Sequence, residues 1–279
     1  MNINLFKSIK FYLFKSSKIK LFLKSFKNFL LQRKWAMSVS SLLTKKNTVI
    51  LRNKKNGEIM CFPYKDKFNT DSSQLKILSR GYAKFMLKKY ELIEGEINSK
   101  TTIVDCGGFV GGFSIAALKN RNAKKSFYIE PTPLTRYCAA LNFTLYGIQN
   151  KVSIVKGGLG KKNDIKELNL SLSQTNNSFL RPDDAPTGKK ESVKVFTFDY
   201  LLKKYNLDEK EIFFKLEAEG YEVEILKGMK SSRPKIISVD ITPEMNGESP
   251  FDMVYEILIK KGYKLISKSN RTAFFKFKM

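Results

Sequence analysis

The chain has 279 residues, which is enough to bury one good hydrophobic core and short for two complete domains. Its formal net charge of +25 indicates an anionic partner, whether membrane lipid, nucleic acid or an acidic glycan, unless a Lys- and Asn-rich composition reflects genome bias and solubility. The chain has no histidine, and its three cysteines are an odd number without metal-ligand spacing, so we expect no zinc site, no disulfide framework and a cytoplasmic location.

The N-terminal segment, residues 1–37, is basic and apolar, and the first acidic residue of the chain is Glu58. In a helical projection the apolar side chains of residues 19–30 fall on one side and their lysines on another. No apolar run approaches the roughly 20 residues that span a bilayer. We therefore expect a basic amphipathic helical segment in which residues 1–34 lie on an anionic membrane surface, peripheral on its inner face. The alternatives are a helix packed on the domain with solvated lysines, and a targeting peptide.

Residues 38–98 are predicted to form an N-terminal cap. Residues 48–51 and 58–62 are β-type runs joined across Asn56-Gly57, a pair typical of hairpin turns. Residues 75–90 are amphipathic and predict one helix. We expect this cap to cover one side of a sheet built by the main domain, residues 99–279.

The stretch on which the main domain depends is residues 101–130, which predicts a buried strand, a glycine-rich turn, a helix and a second strand. Such a turn lets backbone approach a ligand closely and offers the N–H groups of a helix start. The loop has no phosphate-binding Lys or Arg, and Asp105 directly before it would repel a pyrophosphate. The acid suits the ammonium group of S-adenosylmethionine, and Glu130 at the end of the second strand suits the two hydroxyls of a ribose. The alternative is a tight turn that binds no ligand.

The rest of the chain alternates strands and helices. Strands are predicted at residues 152–155, 193–198, 212–216, 236–241, 263–267 and 272–277, and helices at residues 134–145, 200–205, 221–229 and 251–261. This order predicts an α/β fold with three layers, α/β/α, and a mixed, mostly parallel sheet that ends in a C-terminal antiparallel hairpin. Residues 161–191 are predicted to be a long, weakly structured insert that contacts the substrate.

Ligands of such sheets bind beyond the carboxyl ends of the strands. Asp105, Glu130, Glu217 and Asp240 all fall at or near predicted strand ends, and the glycine-rich run at residues 157–160 follows another. We expect these residues to line one pocket.

Several motifs of residues 101–241 resemble the FkbM family of S-adenosylmethionine-dependent methyltransferases. The sequence V-D-C-G-G-F-V-G-G-F-S at residues 104–114 is similar to the family's V-D-x-G-A-x-x-G-x-x-S, and E-P-T-P at residues 130–133 is similar to its E-P-x-P. The likeness continues at residues 141–142, 177–179 and 197–202, and K-L-E-A-E-G-Y-E at residues 215–222 is similar to K-I-D-x-E-G-x-E. The chain departs from the pattern at Gly108, where Ala is common, at Glu217, usually Asp, and at Asp240, usually Glu.

The resemblance implies a Rossmann-like methyltransferase fold and O-methylation of a hydroxyl, often on a sugar or a polyketide-type product. It also implies that S-adenosylmethionine is the cofactor and that no metal is needed. The implied cofactor-binding residues are Asp105, Gly107, Phe109 and Gly111 on the methionine side, Glu130 and Pro131 at the ribose, Gly157, Gly158 and Leu159 at the adenine, and Glu217.

A base should take the proton of the acceptor hydroxyl during methyl transfer. Glu217 and Glu219 are the expected candidates, with Asp240 nearby, while Glu219 has the alternative role of capping the following helix. We expect the acceptor to be a hydroxylated small molecule, glycan or lipid-linked saccharide. The alternatives are an RNA methyltransferase, which the charge would suit but the sequence E-A-E-G at residues 217–220 does not, and a non-catalytic binding module.

Overall fold

A computed structural model describes residues 39–43, 48–63, 72–171, 174–180, 186–245 and 247–278, with the backbone alone at residues 39–43 and 72–73. The amphipathic segment predicted at residues 1–37 lies outside these ranges. By its contacts the chain divides into two compact units, one up to Gly81 and one from Tyr82 onward. In the described ranges, no helix combines the length and the apolar composition needed to cross a membrane.

The first unit contains an antiparallel sheet of β1 (Val39–Leu43), β2 (Thr48–Asn53) and β3 (Ile59–Pro63), followed by helix α1 (Ser72–Arg80). The hairpin predicted across Asn56-Gly57 is confirmed by the antiparallel pairing of β2 with β3. The single helix predicted at residues 75–90 is wrong. The structure has α1 and a second helix, α2 (Tyr82–Tyr90), because Gly81 between them has a φ of +102°, which ends a right-handed helix.

The second unit begins with α2, which the sequence analysis assigned to the cap, and contains the remaining elements. Its other helices are α3 (Gly112–Asn120), α4 (Pro133–Leu145), α5 (Phe198–Tyr205), α6 (Glu222–Gly228) and α7 (Phe251–Lys260), and its strands are β4 (Thr102–Cys106), β5 (Lys125–Glu130), β6 (Val152–Lys156), β7 (Gly158–Leu159), β8 (Asp164–Ser171), β9 (Pro186–Phe196), β10 (Ile212–Leu216), β11 (Ile236–Asp240), β12 (Tyr263–Lys268) and β13 (Thr272–Phe277).

The main sheet has seven strands in the order β12-β13-β11-β10-β4-β5-β6. Strands β11, β10, β4, β5 and β6 are parallel neighbours, and β13 runs antiparallel to both β11 and β12. The predicted mixed, mostly parallel sheet with a C-terminal antiparallel hairpin is therefore confirmed. Every residue of β4, β10 and β11 is buried, as expected of central strands with both faces covered.

Two consecutive residues of β10 show the two covered faces. Successive side chains of a strand point to opposite faces of the sheet. The ring of Phe213 packs on Phe113 of α3, with centroids 5.6 Å apart, and the ring of Phe214 packs on Phe198 of α5, with centroids 4.4 Å apart. The sheet thus has helices on both sides, which confirms the three-layer α/β/α architecture.

A second sheet, in the order β7-β9-β8, corrects the prediction of a weakly structured insert at residues 161–191. Strands β8 and β9 pair antiparallel over most of their length. The sequence does not show a clear alternation of apolar and polar residues in β9. One face of this strand is exposed and carries lysines, while Val193 and Val195 are buried on the other. Residues 172–173 and 181–185 lie outside the description.

Candidate functional site

The four carboxylates predicted at strand ends lie at the same edge of the main sheet. Asp105 on β4 pairs in register with Lys215 on β10, Glu130 and Asp240 are the last residues of β5 and β11, and Glu217 follows β10 directly. Because these strands are parallel neighbours, their carboxyl ends meet at one edge. Ion pairs with Lys89 and Lys215 join Asp105, Glu217 and Asp240 in one cluster, while Glu130 makes separate hydrogen bonds.

Lys215 is the buried cation of this cluster, with its side chain 2% exposed. Its Nζ lies 3.3 Å from Asp105 Oδ1 and 3.1 Å from Glu217 Oε2, and it donates hydrogen bonds to the carbonyls of Cys106 and Gly107. Burial alone would lower the pKa of Lys215, but the attraction of Glu217 and Asp105 outweighs it and raises that pKa. Lys215 is therefore held in its charged form by two acids.

A second ammonium, that of Lys89 on α2, lies between Glu217 and Asp240. Its Nζ is 2.5 Å from Glu217 Oε1 and 2.7 Å from Asp240 Oδ2. Burial opposes the charged form of Glu217, but the charges of Lys89 and Lys215 dominate and hold the pKa of Glu217 well below its ordinary value. Glu217 is therefore a carboxylate with low proton affinity, although its side chain is 22% exposed.

The glycine-rich turn after β4 packs tightly against its protein neighbours. Gly107 has a φ of +65°, and a Cβ there would overlap the backbone oxygen of Glu217. A Cβ at Gly111, which precedes α3, would lie 2.5 Å from the ring of Phe143. Phe109 adopts the left-handed conformation, with a φ of +46°, which is uncommon for a residue with a side chain. The turn is therefore shaped by contacts with Glu217, which follows β10, and with Phe143 of α4.

Asp105 is fully buried and fixes the start of α3. Its Oδ2 accepts hydrogen bonds from Ser114 Oγ at 2.6 Å and from the Ser114 N–H at 3.2 Å, and Ser114 Oγ is 2.8 Å from Ser126 Oγ on β5. The carboxylate holds the turn and the helix start in one arrangement through these bonds.

Glu130 is buried at the end of β5 and accepts hydrogen bonds from two backbone N–H groups. Its Oε2 accepts a hydrogen bond from the Phe109 N–H at 3.0 Å, and its Oε1 accepts one from the Thr132 N–H at 2.9 Å. Burial raises the pKa of Glu130, although these backbone bonds oppose the rise. The Thr132 and Thr135 hydroxyls also oppose the rise as hydrogen-bond partners, so a hydroxylated ligand would share the carboxylate with them. The Arg136 guanidinium donates hydrogen bonds to the carbonyl oxygens of Glu130 and Pro131.

Gly157 connects β6 to β7 (Gly158–Leu159), a strand of the second sheet. A Cβ at Gly157 would lie 2.5 Å from the Lys194 carbonyl oxygen, and a Cβ at Gly158 would lie 2.8 Å from the ring of Phe179. Leu159 is buried. These residues follow the strand that pairs with the end of β5, beside the loop that starts with Glu130.

The stretch between β8 and β9 ties two loops of the site together. Asn177 Nδ2 donates to Thr132 Oγ1 at 3.0 Å, in the loop after β5. Ser178 Oγ donates to the Glu219 carbonyl at 2.6 Å, in the loop after β10. Residues 177–178 therefore hold the loop after β5 and the loop after β10 in place.

A second group of carboxylates, Glu219, Glu222 and Glu244, follows β10 and β11. Glu219 has a φ of +51°, and a Cβ at Gly220, which has a φ of +90°, would lie 2.7 Å from the Glu244 carbonyl oxygen. Burial, together with repulsion from neighbouring carboxylates, raises the pKa of Glu222 to about 8 and that of Glu244 to about 7. The same causes raise the pKa of Glu219 well above its ordinary value. The backbone bond expected of a capping acid is made by Glu222, whose Oε1 accepts from the Ala218 N–H.

Sequence reasoning missed three functional candidates. Glu222 stands in the E-G-x-E pattern and was available from that motif. Lys89 is one of several lysines in its helix, and Glu244 lies in the loop after β11, so neither has a local signal.

The chemistry of these side chains fits a cationic, hydroxylated ligand. Among the residues described at this edge, carboxylates outnumber ammonium groups, so an ammonium or a sulfonium is favoured over a phosphate. No group of three or more Cys, Asp or Glu residues in the described ranges has an arrangement that could hold a metal ion.

A family model described as the methyltransferase FkbM domain matches residues 105–265. Solved structures with similar folds include M. jannaschii tRNA m1G37 methyltransferase, with 15% identity, a TM-score of 0.44, and coverage of 85% of this chain and 59% of that one. M. jannaschii TYW2 in complex with AdoMet has 13% identity and a TM-score of 0.41, covering 85% and 90%. Precorrin-6y C5,15-methyltransferase from Geobacter metallireducens GS-15 has 12% identity and a TM-score of 0.43, covering 78% and 94%. No curated protein matches the chain.

The family model covers more than half of the chain and includes the glycine-rich turn, Glu130 and the carboxylates after β10 and β11. The chain therefore belongs to the methyltransferase FkbM domain family, whose cofactor is S-adenosylmethionine.

Proposed function

We propose that the chain transfers the methyl group of S-adenosylmethionine to a hydroxyl of a glycan, a lipid-linked saccharide or a related natural product. The observation that carries the proposal is the row of carboxylates at the carboxyl ends of β5, β4, β10 and β11. Each of them would be costly to bury in a core that had no ligand or cation to match.

We propose that the cofactor lies along this row of carboxylates. Glu130 and Pro131 would hold the ribose, since the Glu130 carboxylate is oriented by two backbone N–H groups and can accept hydrogen bonds from hydroxyls. The turn that contains Gly107, Phe109 and Gly111 would face the methionine part, with Asp105 and Glu217 supplying negative charge. The run at residues 157–159 would lie beside the adenine.

When bound, S-adenosylmethionine supplies an electrophilic methyl group. The acceptor oxygen loses its proton as it is methylated, and we assign the uptake of that proton to Glu219. Burial and the neighbouring charge of Glu244 raise the pKa of Glu219, which increases the affinity of its carboxylate for that proton. Glu217 is held ionised by two ammonium groups and is assigned to orient the hydroxyl, together with Asp240.

The charge of the site supports a neutral acceptor over RNA. A nucleic acid would bring phosphates next to the carboxylates of Glu217, Glu219 and Asp240, which would repel them. The net charge of +25 therefore has to act outside this edge of the sheet. We assign part of it to residues 1–34, as the segment that binds an anionic membrane surface from the cytoplasm, where a lipid-linked acceptor would be presented.

The test is methyl transfer from tritiated S-adenosylmethionine by the full chain to three acceptor sets: lipid-linked saccharides, soluble glycans and total RNA. We expect label in a saccharide, stable to mild alkali as a methyl ether is, and loss of that label in Glu219→Gln. The matched control is Glu167→Gln, at a carboxylate on β8 that is 64% exposed, and this variant should keep full activity. Label that appears in RNA and is removed by ribonuclease would establish the RNA alternative instead.

A further inference from the structure

Lys89 places a fixed positive charge at the side of the site that faces away from the ribose. The parallel strands follow the order β11-β10-β4-β5, and in the proposed assignment the ribose lies at β5 and the methionine part at β4. The ends of β10 and β11 are then left for the acceptor. Lys89 Nζ lies between the carboxylates of these two strand ends, those of Glu217 and Asp240.

The two lysines of the cluster differ in what they contact. Lys215 lies inside the sheet, where it bonds two carbonyls of the glycine-rich turn and neutralises Asp105 as well as Glu217. Lys89 comes from a helix that precedes the sheet, and its ion-pair partners are the two carboxylates on the acceptor side. Its side chain is 11% exposed, against 2% for Lys215. Lys89 is therefore the ammonium closer to an incoming acceptor.

Two carboxylates that both lie within 2.7 Å of one ammonium nitrogen form a strong site for a cation. Without Lys89, Glu217 and Asp240 would attract an ammonium group of an acceptor, and an amine would compete with a hydroxyl for the methyl group. With Lys89 in that position, a cationic acceptor meets a like charge and a neutral hydroxyl does not.

We infer that Lys89 determines the charge specificity of the acceptor side: its ammonium takes the cation position between Glu217 and Asp240, and so selects a neutral hydroxylated acceptor over an amine. This inference rests on the proposed function, because it uses the assignment of the cofactor to β4 and β5. Lys89 acts here as a specificity-determining residue.

The inference can be tested by binding alone, with two cofactor analogues. S-adenosylhomocysteine has a neutral sulfur, whereas sinefungin carries a protonated amine on the carbon that replaces the sulfonium, directed to the acceptor side. Calorimetry gives the ratio of their dissociation constants for the wild type, Lys89→Met and Lys89→Arg. In Lys89→Met, sinefungin should gain about tenfold relative to S-adenosylhomocysteine, which corresponds to about 1.4 kcal/mol. Lys89→Arg keeps the charge and should keep the wild-type ratio.

Lys88→Met is the matched control, because Lys88 is the exposed neighbour on the same helix. It removes one charge at nearly the same place in the chain and should leave the ratio unchanged. Lys89→Gln serves as a second neutral variant if Lys89→Met does not fold, as judged by circular dichroism.

The outcomes distinguish failure of the proposed function from failure of the inference about Lys89. A wild type that binds neither analogue refutes the proposed function. A wild type that binds both, with an unchanged ratio in a folded neutral variant, leaves the proposed function standing and overturns the inference. Loss of the folded state in both neutral variants would assign Lys89 to the structural core and would also overturn it.

Discussion

Replacing Lys215 with methionine removes the more buried of the two ammonium groups of the site. The substitution keeps the length and the apolar stem of the side chain and removes the ammonium. Asp105 and Glu217 then lose a cation at 3.3 and 3.1 Å, and two carbonyls lose a donor. Breaking a buried ion pair by removing one partner costs about 3–5 kcal/mol, because it leaves an uncompensated charge. We expect Lys215→Met to lower the free energy of unfolding by this amount at neutral pH.

The pH dependence of this loss has a definite sign. The pKa of Glu217 is lowered in the folded protein, so its ionised form stabilises the fold above the unfolded pKa of about 4.3, and this stabilisation disappears as the pH falls. Removal of Lys215 raises the pKa of Glu217, so less of this stabilisation is left to lose on acidification. The difference in stability between wild type and variant should therefore narrow between about pH 4 and about pH 2.

Urea unfolding followed by circular dichroism measures this difference at both pH values. The control is Lys124→Met, at a lysine 52% exposed whose Nζ is 2.9 Å from Glu211, where we expect a change below about 1 kcal/mol. A loss of less than 1 kcal/mol for Lys215→Met, or a difference that widens on acidification, would refute the account of the buried cluster.

Three further predictions concern the fold. Gly107→Ala should lower the free energy of unfolding by more than about 3 kcal/mol, because its Cβ would overlap backbone. The control is Gly147→Ala, also at positive φ but with nothing within 4 Å of its Cβ, which should lower it by about 1 kcal/mol. Equal losses of stability in the two variants on thermal unfolding would show that the contact is unimportant. Asp199→Ala should destabilise by about 2 kcal/mol, since its carboxylate accepts backbone N–H bonds from residues 230–232, and unchanged thermal stability would contradict this role. Glu222→Gln should stabilise the protein more at about pH 8 than at about pH 5. Burial raises the pKa of Glu222 to about 8, so as the pH rises the unfolded state loses this proton first and the folded state becomes less stable relative to it. A gain in stability that is equal at both pH values counts against this reading.

The sheet and the row of strand-end carboxylates could be predicted because they depend on local patterns. Central strands such as β10 are continuous apolar runs, and Asp105, Glu130 and Glu217 stand next to such runs in the sequence. Parallel neighbours then bring the ends together without further information. Gly107 was recognised for its place in the turn, although the chain segment it approaches, after β10, lies far away in sequence.

The partners of these carboxylates could not be predicted, since they come from distant elements without a local signal. Lys89 contacts Glu217 across 128 positions of the chain, and no pattern in a lysine-rich helix marks it. Glu244 belongs to the loop after β11, and its raised pKa arises from burial beside other acids. The second sheet was missed because the exposed lysines of β9 hide its alternation.

The central claim is that S-adenosylmethionine binds along the ends of β4 and β5, with Glu130 at its ribose. Calorimetric titration of S-adenosylmethionine into the wild type, Glu130→Ala and the exposed control Glu167→Ala tests it most directly. We expect micromolar binding in the wild type and in the control. In folded Glu130→Ala the affinity should fall by about 100-fold, the effect of two hydrogen bonds to a charged group. Equal affinity in all three proteins, or no binding to well-folded wild type, would contradict it.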